Sequence, residues 1–183
     1  MRRKLPVLFA VVVVLSVVIA APALACEPQY GEMELVFNNE KFAPGPEAEC
    51  PEALSWYGTV EFGEESYGIA YFPVAPPISA PGGWRIFQED WTIFTLPEGG
   101  VSLDAACDES RVVLEGHDVG LFVPPNLDFA IGSVTAVNDD CLFDDSYLGS
   151  TVLWDGVVDD AVTPRAFSGT FRIFPTDDDH HDH

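Results

Sequence analysis

The stretch Trp84-Arg85-Ile86-Phe87-Gln88-Glu89-Asp90-Trp91-Thr92-Ile93-Phe94-Thr95-Leu96 is the longest strand candidate in the chain. Phe87, Glu89, Trp91 and Ile93 fall on one face; Ile86, Gln88, Asp90, Thr92 and Phe94 fall on the other. A period of two marks a strand rather than a helix. One carboxylate, Glu89, therefore points where large aromatics point. If that face lines a core, Glu89 is buried and must be paired or protonated.

The same period recurs on both sides. Ahead of this stretch, Met33 to Phe37 is a short strand, and Asn38 to Ala53 is a polar loop broken by Pro44, Gly45, Pro46 and Pro51. Leu54 to Phe62 and Ser66 to Val74 alternate around Gly63-Glu64-Glu65, which reads as a hairpin. Ala75 to Gly83, with three prolines and two glycines, reads as an extended loop rather than a central strand. Downstream, Pro97 to Ser110 is a loop, and Arg111 to Glu115 and Val119 to Val123 are short strands separated by a turn at Gly116-His117-Asp118. Leu127 to Val137, Tyr147 to Val158 and Ala166 to Phe174 complete the set.

The expectation is an all-β chain, with eight or nine antiparallel strands. These strand lengths favour a closed, calycin-like barrel, which leaves no sheet edge, over the alternative β-sandwich. The Gly-x-Trp opening of lipocalins is absent from the first strand, so the architecture points to no particular family.

Residues 1–25 read as a secretory signal peptide. Arg2, Arg3 and Lys4 precede an apolar run from Val7 to Ala21, and Ala23-Leu24-Ala25 supplies small residues for cleavage. Residues 26–175 then form a single domain, and 176–183 a polar, disordered tail. The expected location is secreted or extracytoplasmic. A lipid anchor on Cys26 is the second reading, but the order Ala23-Leu24 inverts a lipobox. Four cysteines follow the cut, and an even count in an oxidising compartment favours two disulfides. Cys26–Cys50 and Cys107–Cys141 are the expected pairs, because neither loop crosses the other.

Removal of the leader leaves five basic residues against thirty acidic ones, a formal charge of −25. Such a surface repels nucleic acid and anionic membrane surfaces and attracts cations or basic proteins. With 48% hydrophobic residues the chain is not of the disordered kind, and its aromatics belong in a core.

Four groups carry candidate chemistry. Glu89 is an inward carboxylate, with Arg85 on its own face and Arg172 near the C-terminus as available cations. His117-Asp118 offers an acid/base group, although in a tight turn Asp118 would cap its own backbone. The tail, with Asp179, His180, His181 and His183, suits zinc, nickel or copper as a weak site. The acidic run Asp139, Asp140, Asp144 and Asp145 suits weak calcium binding, although its spacing is not that of an EF-hand. No cofactor motif is present.

The leading expectation is a non-catalytic binding or structural module that takes cations, basic proteins or a small apolar ligand. The alternatives are a small extracytoplasmic isomerase or hydrolase using Glu89, Arg85 or His117, and divalent-metal binding through the tail.

Overall fold

Alternating aromatic and β-branched residues, interrupted by glycine and proline, build a sheet that closes on itself. The computed structural model describes residues 27–38, 54–102, 105, 108–138 and 142–176. Among the described residues nine strands run in chain order: β1 Gln29–Phe37, β2 Trp56–Phe62, β3 Glu65–Pro73, β4 Ile78–Ser79, β5 Arg85–Thr95, β6 Val112–Val123, β7 Leu127–Val137, β8 Thr151–Asp159 and β9 Ala166–Phe174. All pairings are antiparallel, in the order β3-β2-β1-β9-β8-β7-β6-β5-β4, and a further β3–β5 pairing closes the ring. Eight strands form the barrel. The two-residue β4 pairs only with Arg85 and Ile86, at the end of β5 that β3 does not reach. The sandwich alternative is thereby excluded.

Two readings of local structure are corrected. Gly116-His117-Asp118 is not a turn, because β6 runs unbroken through it, with a register shift against β7 between Glu115 and Gly116. None of the three residues has a positive φ, so a composition typical of turns sits in extended backbone. Tyr147 does not begin a strand either. Asp144 accepts a bond from the Ser146 N–H at 3.0 Å and caps a 3-10 turn, Asp145–Tyr147, and β8 starts at Thr151.

The barrel has a filled end and a hollow end. At the filled end the β7–β8 connection folds inward and inserts Phe143, which is fully buried against Phe62 and Tyr147, both 5.4 Å between ring centroids. Trp91 and Phe171 pack edge to face at 5.2 Å in the adjoining layer. Burying such a ring contributes roughly 2–3 kcal/mol by transfer, and the edge-on geometry adds to it.

Around β6 and β7 the usual rule is inverted. Asp118, Gly120, Asp128 and Ala130 face inward, while Val119, Leu127, Phe129 and Ile131 stand exposed on the outer wall. Rings from neighbouring strands occupy that part of the interior. A Cβ on Gly116 would overlap the Trp91 ring, and one on Gly120 would overlap Phe87. The small inward residues are therefore the counterpart of large ones opposite.

Candidate functional site

The hollow end of the barrel is a cavity of about 540 Å³, within the size range of small-molecule sites. Strand ends gather at this mouth: Phe37 closes β1, Trp56 opens β2, Phe122 closes β6 and Val158 nearly closes β8. The Pro73-to-Pro77 segment forms one lip. It leaves the ladder after the Val74 N–H bonds to the Gln88 carbonyl oxygen, because Pro76 and Pro77 have no N–H to continue it. Phe87 forms part of the wall and stacks on Trp154 at 5.8 Å, with the planes 24° apart.

Three carboxyl side chains face the interior here. Glu89 is 7% exposed, Asp128 is 8% exposed, and Asp118 is fully buried. Glu89 and Asp128 line the cavity itself. The Trp154 indole N–H donates to Asp118 Oδ2 at 2.7 Å, but Asp118 Oδ1 and Asp128 Oδ1 are buried without a hydrogen-bond partner. Burial pushes the pKa of Glu89 up to about 7 and that of Asp128 up to about 7, and raises that of Asp118 well above the carboxylate range. Desolvation dominates in all three, because it penalises the charged form. The Tyr71 phenol is also pushed upward, first by burial and then by Asp118, and its hydroxyl lies 3.3 Å from Met33 Sδ.

Ser55 links this cluster to the backbone. Its Oγ lies 2.9 Å from Glu89 Oε1 and 3.1 Å from the Tyr71 carbonyl oxygen. A hydroxyl has one proton to donate. With Glu89 neutral, the carboxylic acid donates to Ser55 and Ser55 donates to Tyr71, so both contacts are satisfied. With Glu89 ionised, the Ser55 proton turns to the carboxylate and leaves the Tyr71 carbonyl to the Ser55 backbone N–H, 2.8 Å away. The geometry thus accommodates both protonation states and satisfies more contacts in the neutral one.

The sequence candidates are distributed as follows. Glu89 faces inward as its alternation requires. Arg85 lines the same cavity from its rim and is exposed. Arg172 is not available to Glu89: it lies on the outer face of β9 and pairs with Asp155. His117 also faces outward, with Nδ1 2.8 Å from Asp90 Oδ1. Strand alternation forces this, since Asp90↔His117 and Glu89↔Asp118 are successive pairs of one ladder and point to opposite faces. Asp118 caps no turn; it belongs to the interior cluster. Asp128 escaped sequence reading, although Asp, Ala and Gly at 128, 130 and 132 share one face of β7.

All four cysteines, Asp139 and Asp140, and the tail residues Asp179, His180, His181 and His183 lie outside the described residues. Among the described residues no three His, Cys, Asp or Glu side chains are grouped so as to hold a metal ion. A second hollow, on the outer wall near Glu34, Tyr57 and Asp159, contains no buried charged side chain.

Fold and site together define a small closed β-barrel with an acidic, aromatic-walled mouth. No family model, curated protein or solved structure matches the chain.

Proposed function

We propose that this protein is an exported, non-catalytic binding barrel whose mouth takes a small, partly apolar organic molecule. The observation that supports this is the cavity at the hollow end, walled by Phe37, Trp56, Phe87 and Phe122. An eight-stranded barrel is just wide enough either to be filled by its side chains or to hold one small ligand. Here Phe143 and its neighbours fill one end, and the other is left with about 540 Å³ of space. Of the groups named for the enzyme alternative, Glu89 and Arg85 line the cavity, while His117 lies on the opposite face of the barrel wall from Glu89.

A neutral fluorescent probe tests the reading. N-phenyl-1-naphthylamine should bind saturably with a rise in fluorescence. Val158→Phe projects a ring into the cavity from the end of β8 and should abolish binding while circular dichroism and Tm show the fold intact. Absence of saturable binding, or equal binding by folded Val158→Phe protein, would overturn the proposal.

A further inference from the structure

We infer that the ligand of this mouth is an organic cation: a protonated amine carried on an apolar body. The inference rests on the binding reading above and names its chemical class.

Three features carry it. Glu89 and Asp128 present carboxyl oxygens to the cavity, and Asp128 Oδ1 is buried without a partner. A buried unpartnered acceptor is costly, and a turn of the Asp128 carboxyl toward the cavity would offer it the N–H of an ammonium. Glu89 on β5 and Asp128 on β7 line the one cavity from different strands, so an extended cation can meet both. Finally, the aromatic faces already receive a cation at the rim. The Arg165 guanidinium sits 4.3 Å from the Phe37 ring centroid and 5.8 Å from that of Trp56. An alkylammonium entering below it would meet the same kind of surface, and such contacts strengthen on desolvation.

Binding is coupled to proton release. The titratable or charged groups facing the site are Glu89 from β5, Asp118 from β6, Asp128 from β7, Tyr71 from β3, and Arg85 and Arg165 at the rim. The arginines are permanently charged, and Arg165 is partly offset by Asp160 at 3.6 Å. Tyr71 stays neutral because its pKa is raised. When the ammonium arrives, a carboxyl group loses its proton to the buffer and remains as the carboxylate counter-charge. Lowering the pH refills that proton and opposes the cation.

Calorimetry with three indoles of one shape separates the possibilities: tryptamine (cation), 3-methylindole (neutral) and indole-3-propionate (anion). At about pH 8, tryptamine should bind at least about tenfold more tightly than 3-methylindole, and indole-3-propionate most weakly. At about pH 5.5 tryptamine should weaken by about tenfold or more while 3-methylindole is unchanged. At about pH 6.5, where Glu89 and Asp128 still hold most of their protons, heats in buffers of different ionisation enthalpy should show a net proton release with tryptamine alone. The double variant Glu89→Gln/Asp128→Asn should lose the preference for tryptamine and keep binding of 3-methylindole. If 3-methylindole binds as tightly as tryptamine, or if the variant retains the preference, the cation inference is overturned and the binding barrel stands. If no indole binds and N-phenyl-1-naphthylamine does not bind either, both fall.

Discussion

Glu89 on β5 and Asp118 on β6 stand directly opposite one another across the ladder, with both side chains buried inside the barrel. Burial penalises the charged form of each, and for Asp118 the nearby Glu89 and Asp128 add repulsion to it. The pair, with Asp128 nearby, therefore titrates as a coupled group that retains protons where exposed carboxylates have none. Much of the protein's expected behaviour follows from this.

Stability should fall as pH rises from acid to neutral. In the unfolded chain these carboxyls titrate at about 4. In the fold, Glu89 and Asp128 titrate at about 7. The folded state then holds more protons across that interval, so its stability is full below the lower value and is lost progressively up to the higher one. Each of the two groups accounts for roughly 3 kcal/mol at the upper end. Denaturant unfolding at about pH 5 and about pH 8 measures the decline. Asp128→Asn should flatten it and make the protein more stable at the higher pH. A stability that rises over this range would contradict the account. Asp108 and Asp144, held below the usual range by hydrogen bonds from Ser110 and Ser146, act in the opposite sense and only at more acidic pH.

Salt distinguishes the interior from the surface. Residues 26–183 hold five basic and thirty acidic residues, and this formal charge of −25 opposes compaction at low ionic strength. Sodium chloride at about 1 M shortens the Debye length to about 3 Å and should raise Tm. It should leave the pH slope due to Glu89 and Asp128 largely in place, since buried groups are screened much less. A Tm indifferent to sodium chloride would remove self-repulsion as a factor.

Much of the fold was legible in the sequence. Leu127–Val137 and Ala166–Phe174 match the strands residue for residue, and the β2–β3 hairpin lies where Gly63 predicts it. The inward face of β5, Glu89 included, follows from its alternation alone. Reading failed where composition and environment disagree. Gly116-His117-Asp118 looks like a turn because glycine and aspartate favour turns, yet here glycine makes room for the Trp91 ring. Leu127, Phe129 and Ile131 are apolar and yet stand outside, where Phe87, Trp91 and Trp154 occupy the interior opposite the small residues of β6 and β7. That inversion hid Asp118 and Asp128, and with them most of the candidate site. Glycines spaced two and four residues from an aspartate on one strand face were the available signal.

The filled end should be the energetic anchor. Phe143→Ala removes a fully buried ring from the Phe62, Tyr67 and Tyr147 cluster and should cost about 3–5 kcal/mol. Phe129→Ala removes an equal ring from the outer wall, where it is 40% exposed, and should cost under about 1 kcal/mol. Equal losses in urea unfolding would mean that the β7–β8 connection does not plug the barrel.

Gly120→Ala tests the cavity wall. The added methyl overlaps Phe87, whose ring lines the cavity and is stacked on Trp154, so that ring must shift. A loss of about 1–3 kcal/mol is expected, with weaker binding of N-phenyl-1-naphthylamine. Unchanged probe binding would mean that Phe87 does not shape the site.

The central claim is that the barrel mouth holds carboxyl groups which titrate near neutral pH, far above the exposed carboxylates. The most direct measurement is a pH titration of the side-chain carboxyl carbons by NMR in protein labelled at aspartate and glutamate. Resonances removed by Glu89→Gln and by Asp128→Asn should titrate at about 7, well separated from the exposed carboxylates at about 4. If every carboxyl, including those two, titrates below about pH 5, the mouth is not the desolvated acidic site described here.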